Sequence, residues 1–143
     1  ASDVYKRQVV LLGLVIIFCV GILGDFLLRL EGLETTSNQQ SVEEIVQAIP
    51  KGLILIFAGV IGPIFEEGIF RVGIQAFFKP ASKIGILVSS ILFALVHTPT
   101  DIGSFVIYWG MGLALSWVYL RTGRFEAAVL THFVWNVIGI LML

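Results

Sequence analysis

The chain has 143 residues, of which 57% are hydrophobic and only 13% are charged, and its mean hydropathy is +0.98. Soluble domains are about 45–50% apolar and about 25% charged, so the composition excludes an ordinary soluble enzyme and predicts an integral membrane protein in a lipid bilayer. The net charge of −1 and the lack of a basic stripe argue against a nucleic-acid partner, and we expect none.

The first predicted element is an apolar helix from about Val9 to Leu28, long enough to cross a bilayer. Lys6 and Arg7 precede it, as in a signal peptide, but the apolar run is long and no small-residue cleavage site follows, so we expect a retained span. The next stretch is polar. It predicts an exposed loop over 35–40 and a short helix capped by Ser41, which begins a Ser-x-x-Glu capping box.

The second predicted span runs from Lys51 to Phe78, with Pro50 suited to its first turn and Pro80 at its end. A helix of this length would extend about 42 Å, which exceeds the ~30 Å thickness of a bilayer core. Pro63 lies inside the span. It should kink the helix, because a proline leaves one backbone carbonyl without its amide partner.

Three further apolar segments complete the chain, at about 82–97, 103–120 and 125–143. They are separated by Pro99 and by a turn at Thr122 and Gly123. The predicted fold class is therefore all-α. We expect a polytopic membrane helix bundle of about five transmembrane helices, forming a single domain over 1–143 with a catalytic core at about 52–136.

The distribution of lysine and arginine predicts the orientation of this bundle. Most basic residues fall at the end that holds the N-terminus: Lys6, Arg7, Lys79, Lys83, Arg121 and Arg124. Only Arg29 and Lys51 fall at the other end, beside several carboxylates. By the positive-inside rule, the N-terminus is expected in the cytoplasm.

Rare polar residues in three of the predicted spans fall at one depth. Counted at 1.5 Å per residue from the basic end of each helix, Glu66 lies at about 18 Å, His97 at about 21 Å, His132 at about 12 Å and Asn136 at about 18 Å. An ionisable side chain at bilayer depth costs about 2.5–3.5 kcal/mol on insertion scales and usually marks function. The shared layer indicates a site, which we expect to lie in a cavity open to the cytoplasmic end.

The spacing of these residues predicts a division of roles. Glu67 and Arg71 are four residues apart in the order that favours a helical ion pair, and Glu66 points about 100° away from Glu67. A carboxylate and an imidazole at one depth can hold a water molecule and take its proton. A second imidazole and an amide, such as His132 and Asn136, can donate hydrogen bonds to the oxyanion of a tetrahedral intermediate.

Three short motifs resemble the signatures of a known family. They read Glu66-Glu67-Gly68-Ile69-Phe70-Arg71 (EExxxR), Phe93-Ala94-Leu95-Val96-His97 (FxxxH) and His132-Phe133-Val134-Trp135-Asn136 (HxxxN). All three, in this order and each in an apolar segment, resemble the signatures of the CAAX-protease and bacteriocin-processing (CPBP/Abi) family of intramembrane glutamic endopeptidases. The resemblance extends over about 52–136.

The resemblance implies an intramembrane endopeptidase of a bacterial cytoplasmic membrane. Its substrate would be a membrane-embedded or lipidated peptide or protein, cleaved in CAAX-type or bacteriocin and peptide processing. The family is usually described as metal-independent, so no metal or other cofactor is expected. The implied roles are water activation (Glu66 with His97), oxyanion stabilisation (His132 with Asn136) and support of the site (Glu67, Arg71 and Phe93).

Other functions remain open at this point. Glu66, His97 and His132 would also make a two-histidine, one-glutamate zinc site with an open position for water, although no HExxH motif is present. A proton-coupled carrier would use buried Glu and His as a relay, but so short a chain leaves little room for two transport halves. A non-catalytic immunity protein could use the same scaffold.

Overall fold

The computed structural model describes residues 2–79 and 82–143, and every regular element within them is helical. In chain order the helices are α1 (Asp3–Leu30), α2 (Ser37–Ala48), α3 (Lys51–Phe77), α4 (Lys83–Val96), α5 (Ile102–Thr122) and α6 (Phe125–Met142). The prediction of an all-α helix bundle is confirmed. The predicted stop at Pro80 lies outside the described residues.

Within residues 2–79 and 82–143, four helices are long and apolar enough to cross a membrane: α1, α3, α5 and α6, with 28, 27, 21 and 18 residues. The fifth predicted span is shorter, because α4 has 14 residues and extends only about 21 Å against the ~30 Å of a bilayer core. Its C-cap is His97, and Thr98 follows with a positive φ of 48°. The short helix therefore ends inside the bundle and delivers His97 to its interior.

Helix α2 begins five residues before the predicted position. Thr36, not Ser41, is its N-cap and accepts a hydrogen bond from Gln39 N at 3.1 Å. Ser41 lies within the helix and donates to Ser37 O, so the predicted loop over 35–40 was wrong for 37–40. Thr36-x-x-Gln39 is also a capping-box pattern. A tertiary hydrogen bond between Thr36 and Tyr108 favours this earlier start.

Helix α3 is irregular around Pro63. Leu55–Ile61 and Gly68–Gly73 have π-helical hydrogen bonding, and Gly62–Glu67 between them is α-helical. Gly62 N donates to Phe57 O, five residues back. In that register Ala58 O would need the N–H of residue 63, which proline lacks. The carbonyl expected to be freed by Pro63 is thus the one of Ala58.

The bundle is held by close helix contacts around a buried centre. Helix α1 packs most extensively against α5. A Cβ added to Gly103 would lie 2.8 Å from Leu28 N and 2.9 Å from Gly24 O, so only glycine permits this approach of two backbones. The buried cluster lies in the interior and consists of Ile17, Phe70, Phe93, Met111, Ala114 and Leu115.

The chain connectivity gives the bundle two distinct ends. We call one the basic end, where α3 runs into α4 and α5 turns into α6. We call the other the α2 end, where α2 and the segment 97–101 lie. The site described below lies between them.

Candidate active site

A buried ion pair forms the base of the site. Arg71 Nε donates to Glu67 Oε2 at 2.8 Å, and both side chains are 0% exposed. Arg71 Nη1 donates to Ser89 Oγ at 3.0 Å, and Ser89 in turn donates to Phe70 O at 2.6 Å. The four-residue spacing thus produces the predicted Glu67–Arg71 pair, with a serine from α4 fixing the guanidinium.

Glu67 also holds His132, a contact that sequence reasoning missed. Its second oxygen, Oε1, lies 2.9 Å from His132 Nδ1. A carboxylate can only accept, so Nδ1 carries the hydrogen and Nε2 faces away from Glu67. Glu67 therefore joins Arg71 and His132 in one buried chain. The sequence predicted the depth of His132, but it did not show which faces of α3 and α6 meet.

Glu66 lies between the two imidazoles. Its Oε2 is 3.8 Å from His97 Nε2 and 3.8 Å from His132 Nε2. That oxygen is buried and has no hydrogen-bond partner within the described part of the chain. The structure therefore brings together the three ionisable groups that the sequence placed in one layer, with a gap slightly wider than a direct hydrogen bond.

Stacking and a backbone hydrogen bond position the imidazole of His97. Its Nδ1 lies 2.8 Å from Phe93 O, a carbonyl that can only accept, so Nδ1 carries the hydrogen and the neutral ring has a free lone pair on Nε2. Tyr108 stacks on the ring, with centroids 4.4 Å apart and planes 14° from parallel. Asn38 donates to the Tyr108 hydroxyl at 3.1 Å, and Thr36 Oγ1 lies 3.1 Å from it.

These contacts add three residues that the sequence did not indicate as part of the site. Tyr108 belongs to none of the three motifs, and Thr36 and Asn38 were expected in an exposed loop. A polar segment next to an apolar helix gives no local sign of such a contact, because the pairing joins residues about 70 positions apart.

Phe93 forms an aromatic wall beside the two imidazoles and the guanidinium of the site. It is completely buried, and its ring lies 4.7 Å from that of His97 and 5.8 Å from that of His132. The guanidinium of Arg71 lies 5.1 Å from the same ring. Such contacts limit the rotation of both imidazoles and place a cation over an aromatic face.

Asn136 was predicted to stabilise an oxyanion, but in the structure its amide binds a backbone carbonyl. Its Nδ2 donates to Ala58 O at 2.9 Å, and this is the carbonyl that Pro63 leaves without a helical partner. The amide thus ties α6 to the irregular part of α3. Asn136 also lines the cavity beside the imidazoles, and its amide has a second N–H.

A cavity of about 440 Å³ leads to these groups, and we call it the active-site cavity. Glu66, His97 and His132 line this cavity, and so do Asp25, Thr36, Gln39 and Leu143. These latter residues belong to the α2 end of the bundle. The prediction of a cavity toward the basic end was therefore wrong. The buried Glu67–Arg71 pair and Phe93 close that direction.

The same groups can be tested for their fit to zinc. Within 2–79 and 82–143, no cluster of three or more His, Cys, Asp or Glu side chains has the arrangement of a metal site. Ligands of a tetrahedral zinc at about 2.0–2.1 Å lie about 3.3–3.4 Å apart. The two separations of 3.8 Å would have to contract for Glu66, His97 and His132 to bind a metal.

Comparison with known sequences identifies the family. Residues 47–138 match the type II CAAX prenyl endopeptidase Rce1-like family. The UPF0177 protein YvdC of Lactococcus lactis subsp. lactis (strain IL1403) is 34% identical over 93% of this chain and 51% of its own length. The membrane-embedded CAAX protease MroQ of Staphylococcus aureus (strain USA300) is 31% identical over 73% of this chain and 44% of its own length.

A further relative is YdiL of Bacillus subtilis (strain 168), provisionally named a membrane peptidase, which is 31% identical over 88% of this chain and 51% of its own length. The chain spans about half the length of the curated relatives it matches. No solved structure matches it. Because the family match covers well over half of the chain, the chain belongs to the type II CAAX prenyl endopeptidase Rce1-like family, a family of membrane proteases.

Proposed function

We propose that this chain forms the catalytic part of an intramembrane endopeptidase, in which Glu66 and an imidazole activate the attacking water. The observation that carries the proposal is the convergence of Glu66 Oε2 on two imidazole nitrogens, His97 Nε2 and His132 Nε2, at 3.8 Å from each. Membership of a family of membrane proteases supports the reaction class.

The spacing of these atoms suits one bridging water molecule. An oxygen about 2.8 Å from two atoms that are 3.8 Å apart contacts both at an angle of about 85°, which two hydrogen bonds of ordinary length permit. Glu66 as a carboxylate and His97 Nε2 as a lone pair are both acceptors, so the water would donate one hydrogen to each. Its oxygen lone pairs would then face the cavity.

In the proposed reaction, the water oxygen attacks the carbonyl carbon of the scissile peptide bond while Glu66 takes a proton. If His132 carries hydrogens on both ring nitrogens, the oxyanion accepts a hydrogen bond from its Nε2, and Glu67 balances the charge of that imidazolium through Nδ1. When the tetrahedral intermediate collapses, the C–N bond breaks and Glu66 passes its proton to the leaving nitrogen. A general base of this kind contributes about 10²–10⁴-fold to the rate.

Asn136 receives two roles in this proposal. One N–H satisfies Ala58 O and fixes the distance between α3 and α6. The second N–H can assist His132 at the oxyanion, as the resemblance implies. Glu67, Arg71 and Phe93 fix the imidazole rings of His132 and His97. Their role is therefore indirect, because they do not contact the attacking water themselves.

The location of the cavity supports a membrane-embedded or lipidated peptide as the substrate. A membrane-embedded or lipidated peptide can reach an active-site cavity that lies between membrane-spanning helices and extends to the α2 end. With the N-terminus in the cytoplasm of a bacterium, that end faces outward. CAAX-type cleavage and the processing of secreted peptides or bacteriocins are two outcomes that a substrate screen would distinguish.

The experiment is hydrolysis by the purified chain in lipid nanodiscs. A panel of prenylated and unmodified membrane peptides is incubated in H₂¹⁸O, and products are read by mass spectrometry. Cleavage with one ¹⁸O in each new carboxyl terminus is expected. A non-catalytic immunity protein would bind without cleaving any peptide, and that result would overturn the proposal.

A zinc-dependent protease is the second candidate, because the same three side chains converge on one point. The two mechanisms differ in their response to chelators. We expect cleavage to survive chelation, since two imidazoles and a carboxylate can supply acid–base and oxyanion chemistry. Stoichiometric zinc, with activity lost in chelator and restored by zinc, would establish the zinc mechanism instead.

A further inference from the structure

A second cavity lies at the basic end of the bundle, and we call it the basic-end cavity. Its volume is about 410 Å³, and the last turns of α3, the first turns of α4 and the end of α5 form its walls. Arg71, Gln75 and Lys79 contribute polar side chains at four-residue intervals. No aspartate or glutamate is among the described residues that line it.

Polar groups in the wall of this cavity lack partners. Arg71 uses Nε for Glu67 and Nη1 for Ser89, but its Nη2 is buried and finds no hydrogen-bond partner within the described residues. Gln75 Nε2 and Oε1 are also buried and have no hydrogen-bond partner within the described residues. Buried polar groups in native proteins nearly always have partners. A ligand with strong acceptor atoms would satisfy the Arg71 and Gln75 donors.

The electrostatics of the cavity favour an anion. The N-terminus of α4 lies in its wall, where Ser82 caps the helix by accepting from Gly85 N at 3.5 Å. A helix N-terminus carries a partial positive charge and unpaired N–H groups. Lys79 is exposed and lines the same cavity. Three positive groups therefore line this cavity: the guanidinium of Arg71, the ammonium of Lys79 and the N-terminus of α4. No carboxylate opposes them in the described wall.

We propose that the basic-end cavity binds the phosphate group of an anionic phospholipid from the leaflet at the basic end. Arg71 Nη2 and Gln75 Nε2 would donate to phosphate oxygens, and Lys79 would hold the headgroup at the entrance. The apolar side chains of Val72, Ile86 and Leu120 in the same wall suit the start of an acyl chain and disfavour a fully hydrated ion. Glu66, His97 and His132 are not among the residues that line this cavity.

The basic-end cavity is linked to the proposed catalytic groups through Arg71. The guanidinium that would contact the phosphate is the one that holds Glu67, and Glu67 holds His132. An anion at Nη2 would therefore share one positive charge with the buried pair. Bound lipid is expected to change the thermal stability of the whole bundle.

The test is lipid binding by the purified chain, read by native mass spectrometry and by the thermal unfolding midpoint. The added ligands are phosphatidylglycerol, phosphatidylcholine, glycerol phosphate and inorganic phosphate, each titrated separately. The variants are Lys79→Ala and Gln75→Leu. The matched control is Lys83→Ala, an exposed lysine at the same end that is not among the residues lining the cavity.

We expect phosphatidylglycerol to bind and stabilise more than phosphatidylcholine. Lys79→Ala should weaken its binding about fivefold, as for one lysine near an anionic headgroup, Gln75→Leu should also weaken it, and Lys83→Ala should not. Equal binding of both lipids, or equal effects of the two lysine variants, would overturn the proposal. If inorganic phosphate stabilises as much as phosphatidylglycerol and depends on Lys79 and Gln75, the phosphate site is supported and its assignment to a lipid is overturned.

Discussion

Replacing Glu67 with glutamine tests the junction between the buried ion pair and the second histidine. Glu67 accepts from two donors and uses one oxygen for each: Arg71 Nε at 2.8 Å and His132 Nδ1 at 2.9 Å. A glutamine side chain offers one acceptor oxygen and an amino group that only donates. In Glu67→Gln, one of the two donors must therefore face another donor.

The size of the effect follows from burial. Both side chains of the pair are 0% exposed, and breaking a buried ion pair by removing one partner costs about 3–5 kcal/mol. With an unfolding entropy of about 2.1 cal/mol/K per residue, this lowers the unfolding midpoint of a chain this size by about 10–17 °C. If Arg71 keeps the oxygen, His132 loses its anchor. The loss in rate can then reach about 10⁴-fold, as for the carboxylate of a Ser-His-Asp triad.

The assay combines thermal unfolding in detergent with peptide cleavage. The matched control is Glu44→Gln, which makes the same chemical change at an exposed position of α2. The control is expected to unfold and cleave like the unmodified chain. If Glu67→Gln keeps both the unfolding midpoint and the cleavage rate of the unmodified chain, the contacts of Glu67 with Arg71 and His132 have no energetic role.

Three further outcomes are expected. Tyr108→Leu removes the stacking on an imidazole, worth about 0.5–1.5 kcal/mol, and should lower kcat/KM up to about tenfold, whereas Tyr108→Phe should lower it less; equal effects would exclude a role for stacking. Asn136→Leu leaves the partly buried Ala58 carbonyl without its hydrogen-bond partner and should cost unfolding free energy at the lower end of the ~1–3 kcal/mol range. This cost should shrink in a Pro63→Ala background, where the helix regains an amide donor, and a cost that is the same in both backgrounds would contradict that assignment. In whole cells that express the chain without Cys19, an impermeant maleimide should label a Gln39→Cys variant but not an Arg124→Cys variant. The reverse labelling pattern would invert the proposed orientation.

The sequence predicted those features of the site that depend on local spacing. The pair Glu67–Arg71 follows from a four-residue interval on one helix, and the common depth of Glu66, His97 and His132 follows from counting residues in each span. Both are found in the structure. The roles of these residues in catalysis stay predictions, since geometry alone does not test them.

Features that depend on how helices rotate and pack could not be predicted in this way. The bond between Glu67 and His132 joins residues 65 positions apart, and the one from Asn136 to Ala58 joins residues 78 positions apart. Spacing rules describe a helix, not the face it presents to a neighbour. For the same reason, counting depth placed the polar layer correctly but did not show that the active-site cavity extends to the α2 end.

The measurement that tests the central claim most directly is cleavage by Glu66→Gln, with Glu34→Gln as a control at an exposed carboxylate. An amide cannot take a proton from water, so the account predicts an unfolding midpoint close to that of the unmodified chain and a rate lowered by at least about 10²–10⁴-fold. The control should keep full activity. A folded Glu66→Gln variant that cleaves at the unmodified rate would contradict the account, because another group would then activate the water.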